Sequence, residues 1–226
     1  PLIQFYGYKT CGVWNSAEEI AANPHFSDDA PGGIRIVDTN NDGSLTPEDR
    51  VALGTPYPDF TWGITNTFQI KDFDISFLIQ GVQGITVLNG DVYYNETKKW
   101  NKKYTKNRWV SAEHPGDGKT PYQNVKTGHD LMLTDYPLQN ASYACLRNFT
   151  VGYTLPATAA RKIKLSGVRF YVSGSNLLYI WGSGYKGINP ESRMTSGNYS
   201  SAMISGYQRG GFPLTSTISA GFDINF

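Results

Sequence analysis

Apolar and polar positions alternate with period two along much of the chain, the pattern of a β-strand with one apolar and one polar face. Residues 59–70, DFTWGITNTFQI, set Phe60, Trp62, Ile64, Phe68 and Ile70 against Thr61, Gly63, Thr65, Thr67 and Gln69. Lys71-Asp72 reads as a short turn. Residues 73–82 resume with Phe73, Ile75, Phe77 and Ile79 opposite Asp74, Ser76 and Gln80, with Leu78 as a misfit. The two segments predict an antiparallel hairpin. A third strand spans 143–155, where Phe149, Val151, Tyr153 and Leu155 oppose Asn148, Thr150, Gly152 and Thr154. A fourth spans 168–181, led by Val168, Phe170 and Val172 against Arg169, Tyr171 and Ser173. The fifth spans 214–226. There Ile218, Ala220, Phe222, Ile224 and Phe226 alternate with Thr217, Ser219, Gly221, Asp223 and Asn225 up to the final residue.

The connections alternate in length. Lys71-Asp72 and residues 156–167 are short, the latter with Arg161, Lys162 and Lys164; the stretches 83–142 and 182–213 are long. A connection of about sixty residues is unusual inside a compact soluble domain. Long outer loops and short periplasmic turns are the rule in outer-membrane barrels, and the strands are long enough to cross a bilayer at a tilt. Aromatics near strand ends, Phe60, Trp62, Tyr153, Trp181 and Phe226, suit the membrane interfaces. An antiparallel sandwich with one solvated face shows the same alternation, so the pattern leaves both architectures open.

Composition narrows the function classes. Charged residues are 17% and the net charge is +1, with no basic stripe, so a nucleic-acid partner is not expected. The length suits one large domain or two small ones. The mean hydropathy of −0.39 and the absence of any long apolar run argue against helical membrane spans. Cys11 and Cys145 read as isolated thiols, without the clustering of a disulfide framework or zinc site. The chain opens at Pro1 without a signal peptide and reads as cut from something longer.

One motif carries candidate metal chemistry. Residues 38–49, DTNNDGSLTPED, place oxygen ligands at the first, third and fifth positions of an EF-hand-like loop: Asp38, Asn40 and Asp42. Gly43 stands at the sharp turn, Ser44 offers its carbonyl, Thr46 stands ninth, and Asp49 stands where Glu is usual. The expectation is one bound hard cation, Ca²⁺ before Mg²⁺, acting as a clip, because no helix pair flanks the loop. The alternative is an Asx-rich turn followed by a short helix capped near Thr46-Pro47. GSGYKG at 182–187 satisfies G-x-G-x-x-G, but Ile188-Asn189-Pro190 opens no helix to hold a pyrophosphate. His25, His114 and His129 show no ligand spacing, and no nucleophile elbow occurs, so nothing predicts an enzyme. The 83–142 connection holds Tyr93, Tyr94, Trp100, Tyr104, Trp109 and Tyr122. Trp100, Trp109 and, further on, Tyr185 are candidate substrate-stacking residues; the alternative is that such aromatics pack the loop's own small core.

The residues also resemble a family. FYGYKTCGVWNSAEEI, DTNNDGSLTPEDR, GTPYPDFTWGITNTFQIKDFDISFLIQGVQG, NRW, ASYACLRNFTVGYTLP, VRFYVSGSNLL and the terminal FDINF, in this order, are similar to the C-terminal part of the SusC/RagA-like TonB-dependent outer-membrane transporters. The stretch 87–140 is the weakest match. The resemblance implies the last five strands of a 22-stranded antiparallel barrel in the outer membrane of a Gram-negative bacterium. It implies import of oligosaccharides or peptides with a SusD-like surface lipoprotein, and energy delivered by TonB through a part of the protein beyond this chain. Residues 1–58, with the cation loop, and the connections 83–142 and 182–213 would then be extracellular, and 59–226 would form the barrel segment. Phe222, Ile224 and Phe226 would face lipid and close on an aromatic C-terminus, a resemblance to the signal read by the outer-membrane insertion machinery. Five strands cannot close a membrane barrel, so the remainder of the same barrel is an expected partner. The reading from a different class is a secreted, calcium-stabilised β-sandwich that binds glycans.

Overall fold

A computed structural model describes residues 3–92, 106–122, 131–192, 206–209 and 211–226. In chain order the strands are β1 (Phe5–Gly7), β2 (Thr10–Val13), β3 (Ile34–Ile36), β4 (Val51–Gly54), β5 (Phe60–Ile70), β6 (Phe73–Gln83), β7 (Thr86–Asn89), β8 (Leu138–Asn140), β9 (Tyr143–Thr154), β10 (Gly167–Trp181), β11 (Tyr207–Gln208) and β12 (Thr217–Asn225). Among the described residues, short helices with both ends described include α1 (Ala17–Ala21) and α2 (Ala157–Lys162). No helix among the described residues is long and apolar enough to cross a membrane. The chain divides into two compact units, one of Pro1–Tyr57, Ile85–Asn140 and Gly184–Gly211, the other of Pro58–Gly84, Ala141–Ser183 and Phe212–Phe226.

The second unit is a single antiparallel sheet in the order β12-β10-β9-β6-β5. These are the five strands that the alternation predicts, with ends moved by no more than a few residues. Lys71 takes the left-handed conformation (φ 54°) in the β5–β6 turn. The 156–167 connection contains helix α2, which the sequence pattern did not announce. Ala160 is buried in it while Arg161, Lys162, Ile163 and Lys164 stay exposed. Both short connections leave the sheet at the end carrying Ile70, Phe73, Thr154 and Gly167; both long ones leave from the end carrying Gln83, Tyr143 and Trp181. Strands β5 and β12 are the edges.

The first unit is built from the residues expected as loops, and it holds short strands of its own. Strand β1 pairs with β4, β2 with β3, and β7 lies between β8 and β11. Tyr8, Ile34, Ile36 and Leu131 form a small buried cluster with Val13, Phe26, Leu45 and Tyr136 packed on it. Helix α1 starts where Ser16 Oγ accepts from Glu19 N (3.2 Å), and the Glu19 carboxylate accepts from Asn15 N (2.8 Å). Trp14, fully buried, donates its indole N–H to Asp29 (3.2 Å).

Candidate functional site

The sheet presents two chemically different faces. Residues directly opposite one another on neighbouring strands share a face, so the register assembles the sequence alternation into rows. One row reads Ile70–Phe73–Tyr153–Phe170–Phe222, the next Phe68–Ile75–Val151–Val172–Ala220, and a third Asn66–Phe77–Phe149–Gly174–Ile218. Beyond them lie Ile64–Ile79–Leu146–Leu178 and Trp62–Gly81–Ala144–Ile180. Ile64, Phe68, Phe73, Phe170, Val172, Leu178, Ile180, Ile218 and Phe222 are exposed. A sandwich would cover such a face with a second sheet. Contiguous apolar exposure on this scale marks a surface that meets lipid or another protein.

Alternation alone would not finish this face. Counting back from Phe149 by twos puts Arg147 among the apolar side chains. A register shift at this point, seen against both β6 and β10, instead puts Leu146 in the apolar row. Arg147 turns to the polar face, where its guanidinium donates to Asn176 Oδ1 (2.7 Å) and Tyr179 Oη (2.9 Å). A β-bulge re-aims side chains in this way by adding one unpaired residue to a strand.

The polar face also carries an ion pair between strands that are not neighbours. Arg169 on β10 donates from Nε to Asp74 Oδ1 (3.0 Å) and from Nη2 to Asp74 Oδ2 (2.7 Å) on β6. A weaker contact of 3.4 Å reaches Asp223 on β12. Strand β9 runs between β10 and β6, and Gly152 stands at the crossing. A methyl group there would fall on the Asp74 carboxylate and within 2.5 Å of Arg169 Nη2. Arg169, Asp74 and Arg147 were not singled out by sequence; Arg169 and Asp74 signal only as charges at polar-face positions of the alternation, and Arg147 falls at an apolar-face position until the bulge re-aims it.

Loop 38–49 closes on itself. Asp38 accepts from Asn41 N (2.7 Å) and Gly43 N (2.8 Å), and Asp42 accepts from Ser44 N (2.8 Å). Asn40 Oδ1 accepts from Asp42 N (2.9 Å). Gly43 has φ +84°, the sharp turn read from its position. Asp49 is fully buried, accepting from Thr39 N on Oδ1 and from Thr46 N on Oδ2, both at 2.8 Å. With Thr46 it forms a capping box for the 3-10 turn Pro47–Asp49. Burial pushes the Asp49 carboxyl up, but the backbone N–H donors of Thr46, Thr39 and Asn40 outweigh it and hold the group below its ordinary value. Among the described residues no three His, Cys, Asp or Glu side chains converge as a metal-holding group. In this conformation Asp38, Asp42 and Asp49 serve the backbone of the loop.

Of the candidate stacking residues, Trp109 and Tyr185 each engage partners of their own. Trp100 falls outside the described residues. Trp109 is half-buried, donates its indole N–H to Asn15 Oδ1 (3.0 Å) and meets Tyr122 edge-on. Tyr185 is buried, and its hydroxyl donates to Gln208 Oε1 (2.8 Å). Gln208 in turn donates to Ser192 O (2.7 Å). Phe222, Ile224 and Phe226 share one exposed face, with Phe226 just past the last paired residue. Cys11 and Cys145 are both free.

No protein-family profile matches the chain. Individual relatives do. A TonB-dependent receptor, P26, of Formosa agariphila is 31% identical over 232 residues, 98% of this chain and 22% of the relative. A second from the same organism, P3, is 30% identical over 98% of this chain. The TonB-dependent receptor SusC of Bacteroides thetaiotaomicron is 27% identical over 69% of this chain and 15% of its own length. Among solved structures, the RagAB peptide transporter matches with a TM-score of 0.70 at 18% identity, over 99% of this chain and 22% of that one. The RagAB peptide importer in its closed-closed state gives 0.67. The resemblance read from the sequence is thus borne out by relatives named TonB-dependent receptors, and the fold matches over nearly the whole chain. The chain spans about 22% of the length of its first two relatives.

Proposed function

We propose, on the premise that this chain is homologous to a segment of the TonB-dependent receptors, that it forms part of the wall and outer loops of an outer-membrane nutrient importer. The observation that carries the reading is the five-stranded sheet with one exposed apolar face. Strands of nine to fifteen residues suit a tilted bilayer crossing. The free edges of β5 and β12 demand further strands, because an unpaired backbone group in lipid costs several kcal/mol. The rest of the same barrel supplies them. The polar face lines the interior, and the two long connections leave at the extracellular end. The function is gated transport without catalysis, in which substrate and a SusD-like lipoprotein shift populations between closed and open states. Oligosaccharides or peptides are the cargo, and TonB supplies energy through a part of the protein outside this chain.

Fractionation of cells expressing the complete protein tests the reading. The protein should sediment with outer membranes and leave them only in detergent. Recovery in the aqueous fraction would instead support the secreted sandwich.

Loop 38–49 enters the proposal as a clip for one divalent cation, Ca²⁺ before Mg²⁺. Asp38, Asn40, Asp42 and the Ser44 carbonyl would hold it, and Asp49 would keep its capping bonds. Its support is the ligand register alone. Terbium luminescence sensitised by neighbouring aromatics, displaced by calcium and lost in D38A/D42A, is the expected result. No terbium signal at millimolar concentration would remove the cation and leave the capped turn.

A further inference from the structure

At the short-turn end of the sheet, two features stand together. The first is a shallow groove of about 490 Å³ on the apolar face, walled by Tyr153, Phe170 and Phe222 and by Val151 and Val172. Ala220 also lines it, the small side chain in a row otherwise made of Phe68, Ile75, Val151 and Val172. The second is the β9–β10 connection, PATAARKIKLSG, which contains no acidic residue. Its helix α2 packs Ala160 inward and exposes Arg161 and Lys162 in its last turn, followed by exposed Ile163 and Lys164. None of the three cations has an ion-pair partner among the described residues. The aromatic row Tyr153–Phe170–Phe222 lies one to three residues inside the strand ends that this connection joins or adjoins. Aromatic rings at the interface, with long basic side chains just outside it, form a pairing that holds a headgroup and its acyl chains together.

We propose that this site binds one anionic phospholipid, with an acyl chain in the groove over Ala220 and the phosphate against Arg161, Lys162 and Lys164. The inference rests on the reading of the apolar face as lipid-facing. The occupant follows from charge complementarity. A purely apolar partner would leave three exposed cations without a role, and a soluble anion would leave the groove empty. Exposed Ile163 adds apolar contact beside the headgroup level, as in amphipathic segments at membrane surfaces.

The test uses the complete protein, purified in detergent and reconstituted in nanodiscs of mixed phosphatidylcholine and phosphatidylglycerol. Lipids that stay bound on release are counted by native mass spectrometry. The protein should retain phosphatidylglycerol over phosphatidylcholine by about fivefold or more, the scale set by a single basic residue near a charged headgroup. The variant R161Q/K162Q/K164Q, altered only at exposed positions, should lose that preference with unchanged yield of folded protein. The variant A220L fills the groove and should lower retention of both lipids while keeping their ratio. No preference in the unaltered protein, or an undiminished preference in the triple variant, would overturn the proposal. Retention unaffected by A220L would overturn the groove. A protein that stays in aqueous solution without detergent fails the barrel reading itself, before any lipid is counted.

Discussion

At the scale of single residues, two side chains show how local chemistry stands behind the architecture. Asp49 is ionised where it is fully buried because backbone N–H groups replace its water shell. A carboxyl whose folded-state value is depressed adds stability above its unfolded value, and that stability is lost as pH falls through the folded value. Protection of the Thr39 and Thr46 amides against hydrogen exchange should therefore fall as the solution is taken below about pH 4. Asp49→Asn, which presents an amide donor to one of those N–H groups, should lose protection at neutral pH. Its remaining protection should stay flat across the acid range. The local cost is about 1–3 kcal/mol for each donor left without an acceptor. An Asp49→Asn protein with full protection at neutral pH would contradict the capping role. Gly152 is the second case. Gly152→Ala forces Arg169 and Asp74 apart and should destabilise the folded sheet by about 1–3 kcal/mol through crowding. Asp74→Asn, which leaves the space untouched, should cost about 1 kcal/mol or less. Urea titration of the folded protein, followed by gel mobility, separates the two; equal effects would deny the crossing at Gly152 its steric role.

At the scale of elements, strand β12 allows the face assignment to be tested at constant depth. Ile218 and Ser219 are sequence neighbours on opposite faces, and Ile218 shares a row with Phe77 and Phe149, which lie near the middle of their strands. Ile218→Lys should cost about 2–4 kcal/mol if that row lies near the bilayer midplane, and Ser219→Lys about 0–1 kcal/mol. Ser219 serves as the polar-face control because it takes no part in the contact, 3.4 Å long, between Arg169 and Asp223 further along the strand. Similar unfolding free energies for the two lysine variants would remove the lipid face. The Arg147 bulge teaches a related point about elements. The stretch YACLRNFTVGYT keeps strict alternation only from Asn148 onward, and a one-residue slip in a strand exchanges its faces. Here the bulge absorbs that slip, so Leu146 and Arg147 each reach the face that suits them.

At the scale of the whole molecule, the five strands make an open sheet with β5 and β12 at its edges, and in a membrane those edges would need further strands. Deleting Phe226, exposed just beyond the last paired residue, should lower the amount of assembled protein far more than transport per assembled molecule. Heat-modifiable mobility on gels, set beside uptake normalised to the folded band, measures both quantities; loss of specific uptake with normal assembly would contradict an assembly role. The strands of the sheet were legible in the sequence because each needs only its own period-two pattern, and long alternating runs such as 59–70 and 217–226 have no competing period. The Gly43 turn and the Thr46-Pro47 cap were legible for the same reason, since both are set by residues within a few positions of one another. What only the tertiary structure decided depends on residues far apart in the chain. Strand β9 lies between β6 and β10, so Asp74 and Arg169 meet across Gly152. Tyr185 is drawn inside by Gln208, and Trp109 is held by Asn15. Short strands within the long connections pair with partners that no local pattern names. Alternation states which face a side chain takes on its own strand; which strands adjoin, and therefore which charges and rings meet, follows from pairing across long loops, where register and packing select one arrangement among many.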